Sequence, residues 1–377
     1  MKNILICGFY GNQNIGDEAM LSGMIKLLNQ NIDSVSINVL SDDPQDTIRR
    51  FPVNSVHRQN RQYKNVLKRF LAFSKSDRFI LGGGDLLRDT STFSVASTWL
   101  EPLERAIHYQ CKTLVLGVSV GEILRDETKK KIPKVLNKVG LIAVRDQQSK
   151  LKLEGLGVSK KIHVVSDLAL ENALEKRERF RRDDGELHVG ISVRHLKNRG
   201  SGISLKTYTN LKYEMAKVID YLVDRYKVKI HFIPFRTHSN SCHPIDDDYV
   251  SSLDFMRYSK NANSITLHRY FDSLDSLYEL LGKLDLVIGM RLHSLILAAG
   301  MGVPVVALEY DAKVKSFMEE VQQQEKSISL NDFQATTMIH TLNAILDDPL
   351  SANRSIASGV DKYENSMVAF KTYLQGF

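Results

Sequence analysis

Cysteine is scarce in this chain: Cys7, Cys111 and Cys242 are the only three in 377 residues. They stand far apart and form no CxxC pair. That argues against a disulfide scaffold and a structural zinc cluster, and it fits a reducing compartment. Long apolar runs are missing too. No stretch approaches the roughly 18 consecutive apolar residues of a membrane span. The apolar start at Met1–Gly8 is too short for a signal-peptide core, so a cytoplasmic location is expected. There is no sequence repeat, no low-complexity tract, and no GxSxG, HExxH or SxxK motif. A strong charge of one sign is also absent: 51 Lys and Arg against 44 Asp and Glu leave +7. This mild excess favours anionic small molecules, lipid phosphates or nucleic acid over cationic partners, without choosing among them. The basic stretches Arg58–Arg69 and Lys176–Arg182 carry no RNP-like or zinc-finger pattern, so no nucleic-acid partner is expected.

What is present is a soluble-type composition, 43% hydrophobic and 25% charged, at a length that suits two domains. Short apolar runs alternate with longer helix-patterned segments. Ile4–Cys7, Ser34–Leu40, Arg78–Leu81, Leu114–Val118, Leu141–Val144 and Ile162–Val165 read as strands, with helices at Glu18–Asn29, Ala96–His108 and Glu127–Lys138. The charged stretch Glu175–Glu186 reads as a linker. A second series then begins. Its strands are His188–Val193, Lys229–Pro234, Ile265–Leu267, Leu284–Ile288 and Val303–Leu308, and its helices Tyr208–Tyr226, Leu274–Gly282 and Leu292–Ala299. Strand–crossover–strand repetition is the mark of a parallel sheet. The expected fold is therefore α/β, with two Rossmann-like doubly wound domains facing across a cleft. The expected divisions are 1–176 and 187–345 for these domains and 346–377 for a C-terminal helical segment. In such sheets ligands sit outside the carboxyl ends of the strands.

Several segments at those ends can carry chemistry. Gly8–Ala19 joins the first strand to the first helix, but its glycines at 8, 11 and 16 do not fit GxGxxG, and no Gly-Lys-Ser/Thr follows. Asp17 suits either an N-cap or a ligand contact. Gly82-Gly83-Gly84-Asp85 reads as three glycines ending a strand, which permits close approach of a ligand, and Asp85 could bond a sugar hydroxyl. Gly289-Met290-Arg291-Leu292-His293 puts a fixed cation and a titratable imidazole at a helix start, a good place for an anion whose chemistry needs a proton. Glu309-Tyr310-Asp311-Ala312-Lys313 ends the next strand, and Lys313 could reach toward Arg291 and His293. Arg145 and Arg194 each follow a strand, and several strand-end arginines beside glycine loops look like an anion clamp. His238, His243 and Asp246–Asp248 read as a polar loop running into an acid-capped helix rather than as metal ligands.

Taken in order, these pieces resemble the polysaccharide pyruvyl transferase family: Gly-x-x-Gly-x-x-Asn14-x-Gly16-Asp17-Glu18, Gly82-Gly83-Gly84, Val144-Arg145-Asp146, Val165-Ser166-Asp167, Ser192-Val193-Arg194, Gly289-Met290-Arg291-Leu292-His293 and Tyr310-Asp311-x-Lys313. Where the family commonly has Arg-Pro, this chain reads Arg194-His195. The resemblance implies a GT-B-like two-domain fold and transfer of pyruvate from phosphoenolpyruvate to a sugar as a ketal, with no cofactor or metal. It also implies donor-pocket roles for Arg145, Arg291, His293 and Lys313. Leu292, Arg194, Asp17, Gly84 and Asp85 complete the expected substrate contacts, and His293 is the expected acid or base. A lipid-linked acceptor would bring such an enzyme to the cytoplasmic membrane face. The alternatives are a nucleotide-sugar glycosyltransferase on the same architecture and a non-catalytic anionic-glycan binding protein. A dinucleotide oxidoreductase is more remote, because the first turn lacks the GxGxxG spacing and Leu40 is followed by Ser41, with Asp42 a weak ribose candidate.

Overall fold

The computed structural model describes residues 1–177, 185–196, 203–237 and 247–377. Residues 238–243 of the Arg236–His243 segment and most of the expected linker thus lie outside the described residues. Contacts divide the chain into two units. The first is Met1–Asn12, Asp17–Glu171 and Glu364–Phe377, and the second is Gln13–Gly16 and Asn172–Tyr363. The last helix contributes residues to each, up to Tyr363 in the second and from Glu364 in the first.

In the first unit the elements run β1 Lys2–Cys7, α1 Ile15–Asn31, β2 Val35–Ser41, α2 Pro44–Arg50, β3 Asn54–His57, α3 Tyr63–Ser74, β4 Arg78–Leu87, α4 Val95–His108, β5 Lys112–Val120, α5 Asp126–Leu136, β6 Leu141–Val144, α6 Gln147–Gly155 and β7 Ile162–Val164. The strands pair in parallel in the order β3-β2-β1-β4-β5-β6-β7. Ile4, Leu5 and Ile6 are buried without alternation, as strands covered on both faces require. Sequence reasoning missed β3 and α2, which have few apolar residues, and α3, most of whose apolar residues lie on its exposed side. It also ended β4 too early. Gly82, Gly83 and Gly84 do not terminate the strand, which continues to Leu87. Gly83 and Gly84 take φ of +73° and +93°, and the register with β5 shifts after Gly84. The glycines build a bulge inside the strand, a role that a glycine run shares with a turn.

The second unit continues with α7 Leu170–Lys176, β8 His188–Ser192, α8 Leu205–Tyr226, β9 Lys229–Phe232, α9 Asp248–Met256, β10 Ile265–Leu267, α10 Leu274–Leu281, β11 Leu286–Gly289, α11 Leu292–Gly300, β12 Val305–Glu309, α12 Ala312–Glu320, β13 Ser327–Ser329, α13 Ala335–Asp347 and α14 Pro349–Gln375. Its parallel order is β10-β9-β8-β11-β12-β13. Val189, Ile191, Ile230, Phe232, Ile288 and Val306 form the middle of its core. Both sheets reverse direction of growth once, between β1 and β4 in the first and between β8 and β11 in the second. Those reversals are the topological switch points where strand-end loops splay apart and leave room for a ligand.

Candidate functional site

At the switch point of the second sheet, Arg194 lies just beyond β8 and Arg291 just beyond β11. Arg194 is 7% exposed. Its Nη1 donates to the Tyr310 hydroxyl at 2.6 Å, and its guanidinium lies 5.0 Å from the centre of that ring. Its Nε is buried without a hydrogen-bond partner among the described residues. Burial and the neighbouring Arg291 charge hold the Arg194 pKa below the ordinary guanidinium value. Tyr310 follows β12. Burial alone would raise its phenol, but Arg194, Lys313 and Arg291 more than offset this, so its pKa falls below the usual range.

Arg291 is the N-cap residue of α11, yet its side chain does not cap the helix. It turns to Asp248 instead, donating from Nε at 2.9 Å and from Nη2 at 2.5 Å. The Asp248 carboxylate also accepts from the backbone N–H groups of Phe235 and Arg236, at 3.1 and 2.9 Å. One buried acid thus fixes Arg291 and the chain leaving β9. Asp247 caps α9 by accepting from Tyr249 N at 2.8 Å. Asp311 caps α12, accepts from Lys313 N at 3.2 Å and pairs with Lys313 Nζ at 3.3 Å. Burial pushes the Asp311 carboxyl up, and Lys313 more than offsets it. Leu292 is buried at the start of α11.

His293 sits in the first turn of α11 against Gly16. A Cβ on Gly16 would fall inside contact distance of the imidazole, 2.5 Å from Cγ. The segment carrying Gly16 is held in this unit by Ile15 N donating to Phe235 O at 2.9 Å and by Thr237 N donating to Gln13 O at 3.1 Å. Gly16 therefore serves His293, and the glycine of the opening motif is explained by ring packing. Gly289 serves α11 in turn, since a Cβ there would meet Ser294 Oγ at 2.5 Å.

The remaining expected residues belong to the first unit. Arg145 is buried beyond β6 and pairs with the fully buried Asp167 at 2.8 Å. Asp17 is buried in the first turn of α1 rather than at its N-cap. A Cβ on Gly84 would approach Asp17 Oδ1 to 3.2 Å, so those two meet at the first switch point. Asp85 pairs with Arg88 at 3.4 Å. Asp42 is engaged by Arg58 and Asn12, both at 2.8 Å. Arg58 also lies 4.4 Å from the Trp99 ring centre. Tyr10 donates to Gly82 O at 2.5 Å. Glu18 Oε1 accepts from Gly11 N at 2.8 Å, whereas its Oε2 is buried with no hydrogen-bond partner among the described residues. Burial pushes the Glu18 carboxyl up to about 7, against the hydrogen bond from Gly11.

The structure thus gathers Arg194, Arg291, His293 and Lys313 in one unit and places Arg145, Asp17, Gly84 and Asp85 in the other. Sequence reasoning missed Asp248 as the partner of Arg291 and Tyr310 as the partner of Arg194. Only the strand-end position of Tyr310 hinted at it.

A parallel sheet with strand-end cations at its switch point defines a Rossmann-like anion-binding unit, and two such sheets define a GT-B-like α/β protein. Solved structures agree on the fold. The chain is similar to Staphylococcus aureus MnaA in a co-structure with UDP, at 13% identity and TM-score 0.60 over 99% of this chain and 94% of that one. It is similar to UDP-GlcNAc 2-epimerase from Neisseria meningitidis bound to UDP-GlcNAc, at 13% and 0.61 over 100% of both chains. It is also similar to Acinetobacter baumannii MurG, at 12% and 0.53 over 100% of both. At these identities the likeness concerns fold alone. The family model for polysaccharide pyruvyl transferase matches residues 14–312, and the chain belongs to that family. A curated relative, the amylovoran biosynthesis protein AmsJ of Erwinia amylovora, is 26% identical over 176 residues, which are 46% of this chain. The match spans 41% of that relative's length.

Proposed function

We propose that this protein transfers pyruvate from phosphoenolpyruvate onto a pair of sugar hydroxyls as a ketal, during synthesis of an extracellular or surface polysaccharide. Family membership and the relative's role in amylovoran biosynthesis support the polysaccharide setting. The observation that carries the donor assignment is Arg194. Arg145 and Arg291 each have a buried carboxylate, and Lys313 has Asp311. The partner of Arg194 is a phenol, and no carboxylate pairs with it among the described residues. Asp248 and Asp311 attract Arg194 only at a distance, since each is paired with another cation. A buried cation with no carboxylate bonded to it is costly, and a bound anion would supply that partner.

In this reading Arg194, with Arg291 and Lys313 beside it, neutralises the donor's carboxylate and phosphate. His293 delivers a proton to the methylene carbon, which becomes the methyl group. C2 turns oxocarbenium-like and is attacked by one sugar hydroxyl. The C2–O bond to phosphate then breaks, and the second hydroxyl closes the ketal. Of the two hydroxyl protons released, one replaces the proton spent on carbon and the other leaves with phosphate. Preorganised positive charge lowers the barrier by meeting charge that builds on the leaving phosphate. Gly16 and the turn of α11 hold the imidazole in place.

The test is incubation with phosphoenolpyruvate and a panel of acceptor sugars, followed by mass spectrometry. A pyruvate-ketal mass gain with equimolar phosphate is expected, and no gain with any acceptor would count against the reading. The UDP-bound fold neighbours favour one other reading, a nucleotide-sugar glycosyltransferase. Release of a nucleoside diphosphate in place of phosphate would select it.

A further inference from the structure

Helix α3 is oriented against expectation. It is anchored from one side by Phe73, 2% exposed, which stacks on Phe79 and Tyr109. Ala72 packs beside it on the core, and Phe70 meets the edge of Tyr109, but the larger apolar side chains of the helix are exposed to solvent. Tyr63 is 83% exposed, and Val66, Leu67, Phe70 and Leu71 are all exposed. At about 100° per residue these five side chains fill one continuous arc of about 140°. Lys64, Lys75 and Lys68 follow along one border of that arc, and all three are exposed. From Arg58 to Lys75 the chain has Arg58, Arg61, Lys64, Lys68, Arg69 and Lys75 and not one Asp or Glu. A contiguous apolar face on the surface of a folded unit marks an interaction site. Its lysine border determines the partner. Two copies meeting face to face would bring like charges together, whereas an anionic bilayer satisfies both the apolar arc and the lysines.

We infer that α3 is a membrane-docking helix: Tyr63, Val66, Leu67, Phe70 and Leu71 enter the headgroup–acyl boundary of an anionic bilayer, and Lys64, Lys68 and Lys75 pair with headgroup phosphates. The helix lies flat on the membrane along its length of about 18 Å. Among the described residues no helix is long and apolar enough to cross a membrane, so docking is peripheral and depends on salt. This inference stands on the first unit alone and does not need the donor chemistry.

The test is co-sedimentation of the full chain with vesicles of neutral phosphatidylcholine, or of phosphatidylcholine with one quarter phosphatidylglycerol, without donor or sugar. Binding to the anionic vesicles is expected to be at least about tenfold tighter than to neutral ones. The double variant Lys64→Ala, Lys68→Ala is expected to weaken it by about 25-fold, or about fivefold per cation. Leu67→Glu and, separately, Phe70→Glu are expected to abolish it. Leu67 and Phe70 are exposed, so the variants should melt with the wild type, and Leu67→Ser serves if either glutamate variant does not. Equal binding to both vesicle types would overturn the inference, as would variants that bind like wild type. A vesicle-free dimer that dissolves on Leu67→Glu would overturn it too, and would assign the face to a second copy of the chain.

Discussion

Replacing Glu18 by glutamine should change how stability depends on pH. The carboxyl is 1% exposed, with one oxygen on Gly11 N and the other without a hydrogen-bond partner among the described residues. Burial raises it from 4.5 to about 7. Below about 4.5 the folded and unfolded chains both hold the proton, and Glu18 costs nothing. Between 4.5 and 7 the unfolded chain has released it and the folded chain has not, so stability falls as pH rises. Above 7 the loss levels off, having reached about 3 kcal/mol. Glutamine keeps the acceptor for Gly11 and removes the titration. The Glu18→Gln variant should therefore match wild type near pH 4.5 and exceed it by about 3 kcal/mol at pH 8. The assay is urea unfolding followed through Trp99, the only tryptophan in the chain, buried in the same unit beneath Arg58. Comparing variant with wild type at each pH cancels the titration of other groups. A stability difference that stays flat from pH 4.5 to 8.5 would refute the reasoning.

Other outcomes follow from the second unit. His293→Ala should leave a folded protein with turnover lowered about 100-fold or more, and near-normal turnover would remove His293 from the mechanism. Gly16→Ala requires no unusual backbone angle but displaces the imidazole, so kcat should drop well beyond any change in melting temperature, and an unchanged kcat would contradict the packing role. Asp248→Asn leaves Arg291 without its counter-charge and should cost about 3 kcal/mol in urea unfolding, whereas a loss under about 1 kcal/mol would show that the pair is not structural.

The alternation of strand and helix was legible because parallel strands are continuous apolar runs, and Ile265–Leu267 was placed to the residue. β3, with Val56 as the only aliphatic residue in Asn54–His57, left no such trace. The glycines of β4 misled because their positive φ serves a bulge as well as a turn. At the site, Arg194, Arg291, His293 and Lys313 were legible from their positions at strand ends. Asp248 was not, since it stands 43 residues from Arg291 and only the pairing of β9, β8 and β11 brings them together. Local pattern names residues that end strands, but it does not say which of them neutralise one another. Among the described residues that pairing leaves Arg194 bonded to a phenol rather than to a carboxylate.

Calorimetric titration of phosphoenolpyruvate into wild type and Arg194→Met tests the central claim most directly. Removing a buried charge that lacks a carboxylate should offset the lost bond to Tyr310 and leave the melting temperature close to wild type, while losing its bonds to the donor should weaken binding at least about tenfold. The account predicts both results together. Equal affinity in the two proteins, or a variant that loses stability instead of the donor, would contradict it.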